Sequence, residues 1–156
     1  MITAKLPEMS LKNFNTNLFI DSRALLKNLL QTRHPNFSLK FPIGNNKELD
    51  VAISNISYIE SDGVLSTLYM IDGVRKTIKI TSAIGDCEKR LNEYAFIRTH
   101  RSYLVNCSCI NFIESGKACK VILLSNEEIP ISRRRMKAIK TLFQSLGFSC
   151  NGDPSA

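Results

Sequence analysis

The sequence predicts a mainly β domain (α+β class) with short sheets and peripheral helices, preceded by an N-terminal helical segment. Apolar and polar residues alternate in several short stretches between residues 38 and 131, which is the period of half-buried strands. The dipeptides Asp72-Gly73 and Ser115-Gly116 each separate two such stretches, as in β-hairpins. Residues 81–91 and 133–146 instead carry apolar residues at helical spacing, so two helices complete the domain.

We divide the 156 residues into an N-terminal extension (1–37), a main domain (38–147) and a flexible tail (148–156). The length suffices for one domain with its own core plus an accessory segment. In the extension, Asp21 and Ser22 can cap a short helix with one apolar face formed by Leu25, Leu26, Leu29 and Leu30. We expect this face to pack on the main domain or on a second copy of the chain.

The first half of the main domain is rich in strand signals. Leu39, Phe41 and Ile43 alternate with polar residues and predict a strand that ends in a turn at Asn45-Asn46. One or two short extended pieces are expected between residues 51 and 59. Residues 65–71 and 76–80 then predict a hairpin closed by Asp72-Gly73.

The second half continues with a helix, further strands and a last helix. Residues 81–91 predict a short helix with Ile84, Cys87 and Leu91 facing inward. Residues 96–106 are extended but interrupted. Residues 110–114 and 120–124 predict a second hairpin around Ser115-Gly116, and a turn at Asn126 precedes the last extended piece.

The run from Ile129 to Lys137 marks the start of the last helix. Ser132 is a good N-cap, because its hydroxyl can accept a hydrogen bond from a backbone N–H two or three residues later. The apolar stripe of this helix comprises Met136, Ile139, Leu142, Phe143 and Leu146, and Gly147 is a natural stop.

Three arginines, Arg133 to Arg135, occupy the first turn of that predicted helix. A helix start carries partial positive charge and unpaired backbone N–H groups, so cationic side chains there oppose the helix dipole. The arrangement becomes favourable when a phosphate group binds at the helix start. The run is therefore either a solvated basic helix end or a segment that meets an anion.

Charge also indicates an acidic partner. The formal net charge is +7 and the pI is near 9.3, which favours nucleic acid first and an anionic membrane second. The segment from residue 98 to residue 140 holds nine basic residues against three acidic ones, the latter being Glu114, Glu127 and Glu128. The positive charge is thus concentrated in the second half of the chain.

The sequence lacks the motifs of several enzyme, metal-binding and membrane-protein classes. The sequence has no GxSxG, P-loop or GxGxxG motif, and its two histidines, His34 and His100, assemble no recognisable catalytic site. Five cysteines at irregular spacing without a CxxC pair argue against a disulfide framework or a zinc site. No apolar run is long enough to span a bilayer. We expect a cytoplasmic protein that is not an enzyme and has no cofactor, metal ion or membrane partner.

The stretch from Phe96 to Asn106 interleaves arginine, histidine and serine with an apolar framework. These polar side chains donate hydrogen bonds to phosphates or base edges. The composition fits a polar strand face as well as it fits a nucleic-acid contact.

Three ordered motifs together identify a family resemblance. Residues 58–63 (YIESDG), 96–106 (FIRTHRSYLVN) and 129–134 (IPISRR) resemble the LytTR family of bacterial DNA-binding domains, over roughly Leu39 to Leu146. The resemblance implies a mostly β fold that inserts loops, rather than a recognition helix, into successive major grooves. It also implies a transcription regulator that binds paired direct repeats at promoters.

By motif position, the resemblance implies base reading by Ser66, Arg101 and Arg134. Arginine at the last two positions fits direct readout, because Arg can donate two hydrogen bonds to guanine O6 and N7. Ser66 is shorter than the residue that many family members have in this loop. The remaining polar residues of the motifs are implied as phosphate contacts, namely Arg98, His100, Ser102, Ser132, Arg133, Arg135 and Lys137.

Our leading hypothesis is a sequence-specific regulator that binds double-stranded DNA, with a homodimer formed through the N-terminal helix or on paired repeats. The alternative is a protein-interaction module of the same fold that modulates another regulator; the arginine cluster at residues 133–135 favours DNA. Binding to single-stranded RNA is a third hypothesis. Proteins of that kind stack bases on clustered aromatic side chains, and the sequence has no such cluster. About 45 residues precede the motif region, so we expect no receiver domain within this chain.

Overall fold

The computed structural model describes residues 37–71, 76–92, 94–145 and 149–151. Its elements in chain order are β1 (Ser38–Gly44), β2 (Lys47–Ala52), β3 (Ile56–Ser61), β4 (Ser66–Met70), β5 (Thr77–Ile80), α1 (Ile84–Arg90), β6 (Phe96–His100), β7 (Tyr103–Asn106), β8 (Ile110–Glu114), β9 (Lys120–Leu123), β10 (Glu128–Pro130), α2 (Arg133–Ser145) and β11 (Ser149–Asn151). The leucine-rich helix predicted near residues 21–34 lies outside the described residues.

A five-stranded antiparallel sheet forms the central layer, in the order β5-β4-β3-β7-β6. Successive side chains of a strand point to opposite faces of a sheet. In β3, Tyr58 accordingly packs in one apolar cluster and Ile59 in the other. Val105 and Leu104 divide between the two clusters in the same way in β7. The central sheet is therefore covered on both faces.

The β1–β2 hairpin and α1 cover the first face. The hairpin turns at Asn45 and Asn46, whose φ angles of 54° and 57° lie in the left-handed region that asparagine tolerates. Phe41 of β1 is fully buried, and the guanidinium of Arg90 lies 4.7 Å above the centre of its ring. From α1, Ile84 and Cys87 join this cluster.

The second face is covered by a four-stranded sheet, β10-β9-β8-β11, and by α2. From α2, Ile139 and Phe143 are buried, at 3% and 0% exposure, in the same apolar cluster as Val121 and Ile129 of this sheet. Burying an apolar side chain of this size stabilises the fold by roughly 1.5–3 kcal/mol. This packing fixes the position of α2, and hence of the arginines at its start.

Most of the predicted elements are confirmed. β1 and the paired strands of the two hairpins, β4–β5 and β8–β9, lie where the alternating pattern placed them, while the predicted turn at Asp72-Gly73 lies outside the described residues. The predicted helix at 81–91 is α1, and its three inward residues Ile84, Cys87 and Leu91 are buried. The last helix begins at Arg133, directly after Ser132.

Two strands lie outside the prediction. β2 was not predicted as a strand before residue 51, because residues 47–50 are exposed, with Leu49 alone among charged residues, and only Val51 of this strand is buried. The predicted tail at 148–156 contributes β11, which pairs in parallel with β8. Backbone pairing needs no apolar pattern, so neither strand has the signal of a half-buried segment.

In the described part of the chain, the thiols of Cys87, Cys107 and Cys119 are free and buried, and Cys109 is buried as well. Burial raises the pKa of Cys87 to about 11 and that of Cys107 further still. Among the described residues, no helix is long and apolar enough to cross a membrane.

Candidate nucleic-acid interface

Three segments of the chain are tied together beside β6. They are the β3–β4 loop (residues 62–65), the β6–β7 turn (residues 101–102) and the start of α2 (residues 132–137), which we call the three-segment edge. The backbone N–H of Ser61 donates to the carbonyl of Ser102 at 2.8 Å. The backbone N–H of Ser132 donates to the carbonyl of Thr99 at 2.9 Å. Main-chain bonds thus link all three segments.

The β3–β4 loop is shaped by its own side chains. The Ser61 hydroxyl donates to the carbonyl of Leu65 at 3.1 Å and accepts from the N–H of Gly63 at 3.1 Å. The Asp62 carboxylate accepts from the N–H of Leu65, also at 3.1 Å. Gly63 has a φ of +119°, which a residue without a Cβ adopts most readily. These bonds hold Val64 at the loop tip, 77% exposed.

The assignment of Ser66 as a base reader does not fit this structure. Ser66 lies in β4 rather than in the loop, and only 1% of its surface is exposed. Its hydroxyl donates to the carbonyl of Ser82 at 2.7 Å, which ties β4 to the segment before α1. A base edge cannot reach a hydroxyl that is both buried and engaged. Ser66 is therefore a structural residue.

Arg98 holds the β6–β7 turn in shape through hydrogen bonds to backbone carbonyls. Its Nε donates to the carbonyl of His100 at 2.8 Å, and its Nη2 donates to the carbonyl of Arg101 at 2.5 Å. Its Nη1 lies 2.9 Å from the carboxylate of Glu88 in α1, and its side chain is only 14% exposed. The phosphate contact implied for Arg98 is thus not favoured, because its donors are already engaged within the protein. Arg101 itself is exposed.

His100 is half-buried beside that turn. Its Nδ1 accepts a hydrogen bond from the backbone N–H of Ser102 at 3.1 Å. Burial lowers the pKa of His100, and the neighbouring guanidinium groups of Arg101, Arg98 and Arg135 lower it further. The imidazole is therefore neutral at pH 7, with its proton on Nε2, which leaves Nε2 as a hydrogen-bond donor.

A carboxylate and two tyrosines support the turn from within the sheet. The hydroxyls of Tyr69 and Tyr103 donate to the two carboxylate oxygens of Glu60, at 2.8 and 2.7 Å. Burial and this bond raise the pKa of Tyr103 to about 12, so its hydroxyl stays protonated. The ring of His100 meets the ring of Tyr103 edge-on at 5.8 Å. Sequence reasoning missed this support, since it depends on pairing between three strands.

The start of α2 differs from the predicted N-cap in one respect. The Ser132 hydroxyl is buried and makes no hydrogen bond with the rest of the described chain, so it does not cap the helix. The backbone carbonyl of Ser132 instead accepts from the N–H of Arg135 at 3.0 Å. The Arg135 Nη1 also donates to the carbonyl of Arg98 at 3.5 Å, which links α2 to β6.

The charges of the three-segment edge are mostly free. Arg133, Arg134 and Lys137 are exposed, and Arg135 is half-buried. No salt bridge joins any of these four side chains to a carboxylate within the described ranges. In that same part of the chain, no group of three or more His, Cys, Asp or Glu residues could hold a metal ion. Unpaired guanidinium groups beside a helix start are suited to binding phosphates and base edges.

Comparison with known proteins bears directly on this surface. A model of the LytTr DNA-binding domain matches residues 47–144. An uncharacterized response regulatory protein of Yersinia pestis is 32% identical over 100 residues, covering 62% of this chain and 39% of that protein. The sensory transduction protein LytT of Enterococcus faecalis is 31% identical over 77 residues, covering 48% of this chain and 31% of that protein. The chain thus spans between three and four tenths of the length of these two relatives.

A solved structure agrees with the fold. The LytTr DNA-binding domain of a Bacillus cereus response regulator superposes with a TM-score of 0.56, at 19% identity, over 68% of this chain and 95% of that one. The family match covers more than half of the 156 residues and includes every residue of the three-segment edge. The chain therefore belongs to the LytTR family, and its main domain is a LytTr DNA-binding domain.

Proposed function

We propose that this protein is a sequence-specific regulator of transcription that inserts the segments of the three-segment edge into successive major grooves of promoter DNA. The observation that carries this proposal is the link between the end of β6, which leads into the β6–β7 turn, and the start of α2, through the bond between Ser132 and Thr99. It holds two exposed arginines, Arg101 and Arg134, on separate segments of one scaffold.

Arg101 and Arg134 are proposed as the base readers. Both side chains are exposed, and neither takes part in a salt bridge among the described residues. Each guanidinium can donate two parallel hydrogen bonds to O6 and N7 of a guanine. A base contact on each segment specifies the identity of one or two base pairs. The two segments together therefore recognise one repeat of the DNA site, which we call a half-site.

Phosphate contacts are proposed for the groups beside these readers: Arg133, Arg135, Lys137, His100, Ser102 and Ser132. The Ser132 hydroxyl is buried and has no partner within the described chain, but the residue is half-buried, so rotation of its side chain would bring the hydroxyl to the helix start, where phosphate oxygens are favoured. His100 offers Nε2 as a donor. Arg98 acts instead as a positioning residue, because its donors hold the carbonyls of the turn.

Assembly is proposed at the level of paired repeats. Two copies of the chain would occupy two direct repeats, and the leucine-rich segment of the extension, which lies outside the described residues, would contribute to their pairing. The longer relatives are named for response regulation and sensory transduction. A cytoplasmic regulator that answers a signal is consistent with those names.

Selection of bound duplexes from a random pool tests this function. We expect an enriched motif, and a mobility shift with that motif that excess nonspecific duplex does not abolish. Single-stranded RNA of the same sequence should bind far more weakly. If no duplex is enriched, while the protein captures another regulator and prevents that regulator from binding DNA, the module is a protein-interaction domain and the proposal is wrong.

A further inference from the structure

The tip of the β3–β4 loop presents an apolar side chain where a polar contact was expected. Val64 is 77% exposed, which is the highest value among the exposed large apolar residues of the described chain; the next is Leu124, at 52%. Ser66, two residues later, is buried in β4 and cannot reach a ligand. The most exposed apolar group of this loop is therefore the pair of Val64 methyl groups, and Leu65 beside it is 43% exposed.

The loop around Val64 has a fixed shape. Asp62 and Ser61 make hydrogen bonds with both the N–H and the carbonyl of Leu65, which closes the loop on either side of Val64. An exposed valine on a shaped loop loses little conformational freedom on binding, since its side chain has one rotatable bond. The loop therefore holds Val64 in an exposed position before any partner binds.

The same loop is attached to the turn that carries Arg101. The bond from the Ser61 N–H to the Ser102 carbonyl joins the two, and a cavity of about 510 Å³ is lined from one side by Ser61, Asp62 and Gly63 and from the other by Arg101 and Ser102. A group that approaches Arg101 therefore also approaches the loop. The loop tip at Val64 and the turn at Arg101 thus belong to one connected surface, which can meet the same major groove.

Thymine carries the one methyl group that a base pair presents in the major groove. Apolar side chains contact it and distinguish thymine from cytosine without a hydrogen bond. We infer that Val64 is a specificity-determining residue that packs against the C5 methyl of a thymine in the half-site contacted by Arg101. This inference rests on the proposed function.

The test combines one protein variant with one altered base. Each thymine of the selected duplex is replaced singly by deoxyuridine, which removes the methyl group and keeps every hydrogen-bonding atom. The affinity of each duplex is then measured for the wild type, for Val64→Ala and for the control Leu124→Ala. The control removes an exposed apolar side chain from the β9–β10 turn, beside the acidic residues Glu127 and Glu128.

We expect one or two thymines at which deoxyuridine weakens wild-type binding by about three- to fivefold, the effect of one buried methyl group. At those positions Val64→Ala should show no further loss with deoxyuridine, while Leu124→Ala should behave as the wild type. Melting temperatures of both variants should match that of the wild type, because both side chains are exposed.

Three outcomes would overturn the inference. The deoxyuridine penalty could persist unchanged in Val64→Ala, or no thymine could show a penalty. Alternatively, Val64→Ala could weaken only the joint binding of two copies on paired repeats, which would make the loop a contact between protein chains. In all three cases a specific duplex is still bound, so the proposed function survives; its own failure appears earlier, as the absence of any selected duplex.

Discussion

The Arg98 guanidinium and the Glu88 carboxylate lie 2.9 Å apart, and their ion pair joins the end of β6 to α1. The remaining donors of Arg98 hold the carbonyls of His100 and Arg101. In the sequence, Arg98 counts only as one more positive charge. In the structure, it stabilises the turn that carries Arg101. Its effect on binding should differ from that of the exposed arginines.

The Arg98→Lys variant tests whether Arg98 positions the β6–β7 turn. Lysine keeps the charge but cannot donate in three fixed directions, so the turn should lose its shape. We expect specific affinity to fall by about tenfold, the effect of losing one or two hydrogen bonds to a charged group. The slope of log affinity against log salt should stay the same. The matched control is Arg133→Lys at an exposed site, and an equal loss in that variant would contradict the positioning role.

Salt dependence measures how many cationic side chains displace counterions from the DNA, whether they contact phosphates or base edges. The three-segment edge offers five cationic side chains, Arg101, Arg133, Arg134, Arg135 and Lys137. If all five displace counterions, the slope of log affinity against log salt should be near −4 to −5. Raising salt from about 50 to 200 mM would then weaken binding by a few hundredfold. A slope shallower than about −1 would be incompatible with this surface.

Arg134→Ala and Arg133→Ala should separate base reading from phosphate binding. Adjacent residues of a helix point about 100° apart, so neighbouring arginines cannot all enter one groove. We expect Arg134→Ala to cost about 1–3 kcal/mol on the specific duplex and to flatten the preference at one or two base pairs. Arg133→Ala should weaken specific and scrambled duplexes alike and reduce the salt slope by about one unit. Equal weakening of both duplexes by Arg134→Ala would refute its role as a reader.

Ser132→Ala is expected to change stability little and to weaken DNA binding clearly. Since the hydroxyl makes no hydrogen bond in the free protein, its removal should lower the free energy of unfolding by no more than about 0.5 kcal/mol. A capping serine would instead lose about 1 kcal/mol. Affinity for the duplex should fall by about three- to tenfold if the hydroxyl donates to a phosphate. Urea unfolding and a binding titration on one preparation decide between the two roles, and Thr141→Ala, far along the same helix, is the control.

The lowered pKa of His100 gives a pH dependence of definite sign. The unfolded chain binds a proton near pH 6.5, whereas the folded chain resists it because of burial and the nearby arginines. The stability that neutral His100 contributes is therefore complete above pH 6.5 and decreases as the pH falls through and below that value. Urea unfolding of the wild type and of His100→Gln between pH 7.5 and pH 5 should show a smaller decrease in the variant. Identical pH profiles would mean that His100 is not the group responsible.

The same residue predicts how DNA binding responds to pH. A phosphate oxygen at Nε2 would stabilise the protonated imidazole, so binding and protonation should favour each other. We expect affinity to rise as the pH falls from 7.5 to 6, and His100→Gln to lose this rise. An affinity independent of pH in the wild type would place the phosphate elsewhere.

The fold was predictable where local pattern and tertiary packing agree. β1, both hairpins and the two helices carry alternating or helical apolar spacing, and their predicted positions are confirmed. β2 has one buried residue, Val51, so the prediction placed no strand before it. For the candidate site, the sequence motifs indicated which chain segments form it. They did not indicate which side chains are buried or already hydrogen-bonded within the protein. The hydrogen-bond partner of Ser66 and the ion-pair partner of Arg98 lie 16 and 10 positions away, at Ser82 and Glu88, so the local pattern does not reveal them.

The bonds that hold the β3–β4 loop to the β6–β7 turn, and that turn to α2, run between backbone atoms. Substituting Val64, Arg101 or Arg134 leaves these bonds untouched, because none of these side chains takes part in them. A relative with other residues at the three positions could thus recognise a different promoter on an unaltered scaffold. On the proposed function, new operator preferences are accessible by single codon changes at these exposed sites, without an intermediate that folds poorly.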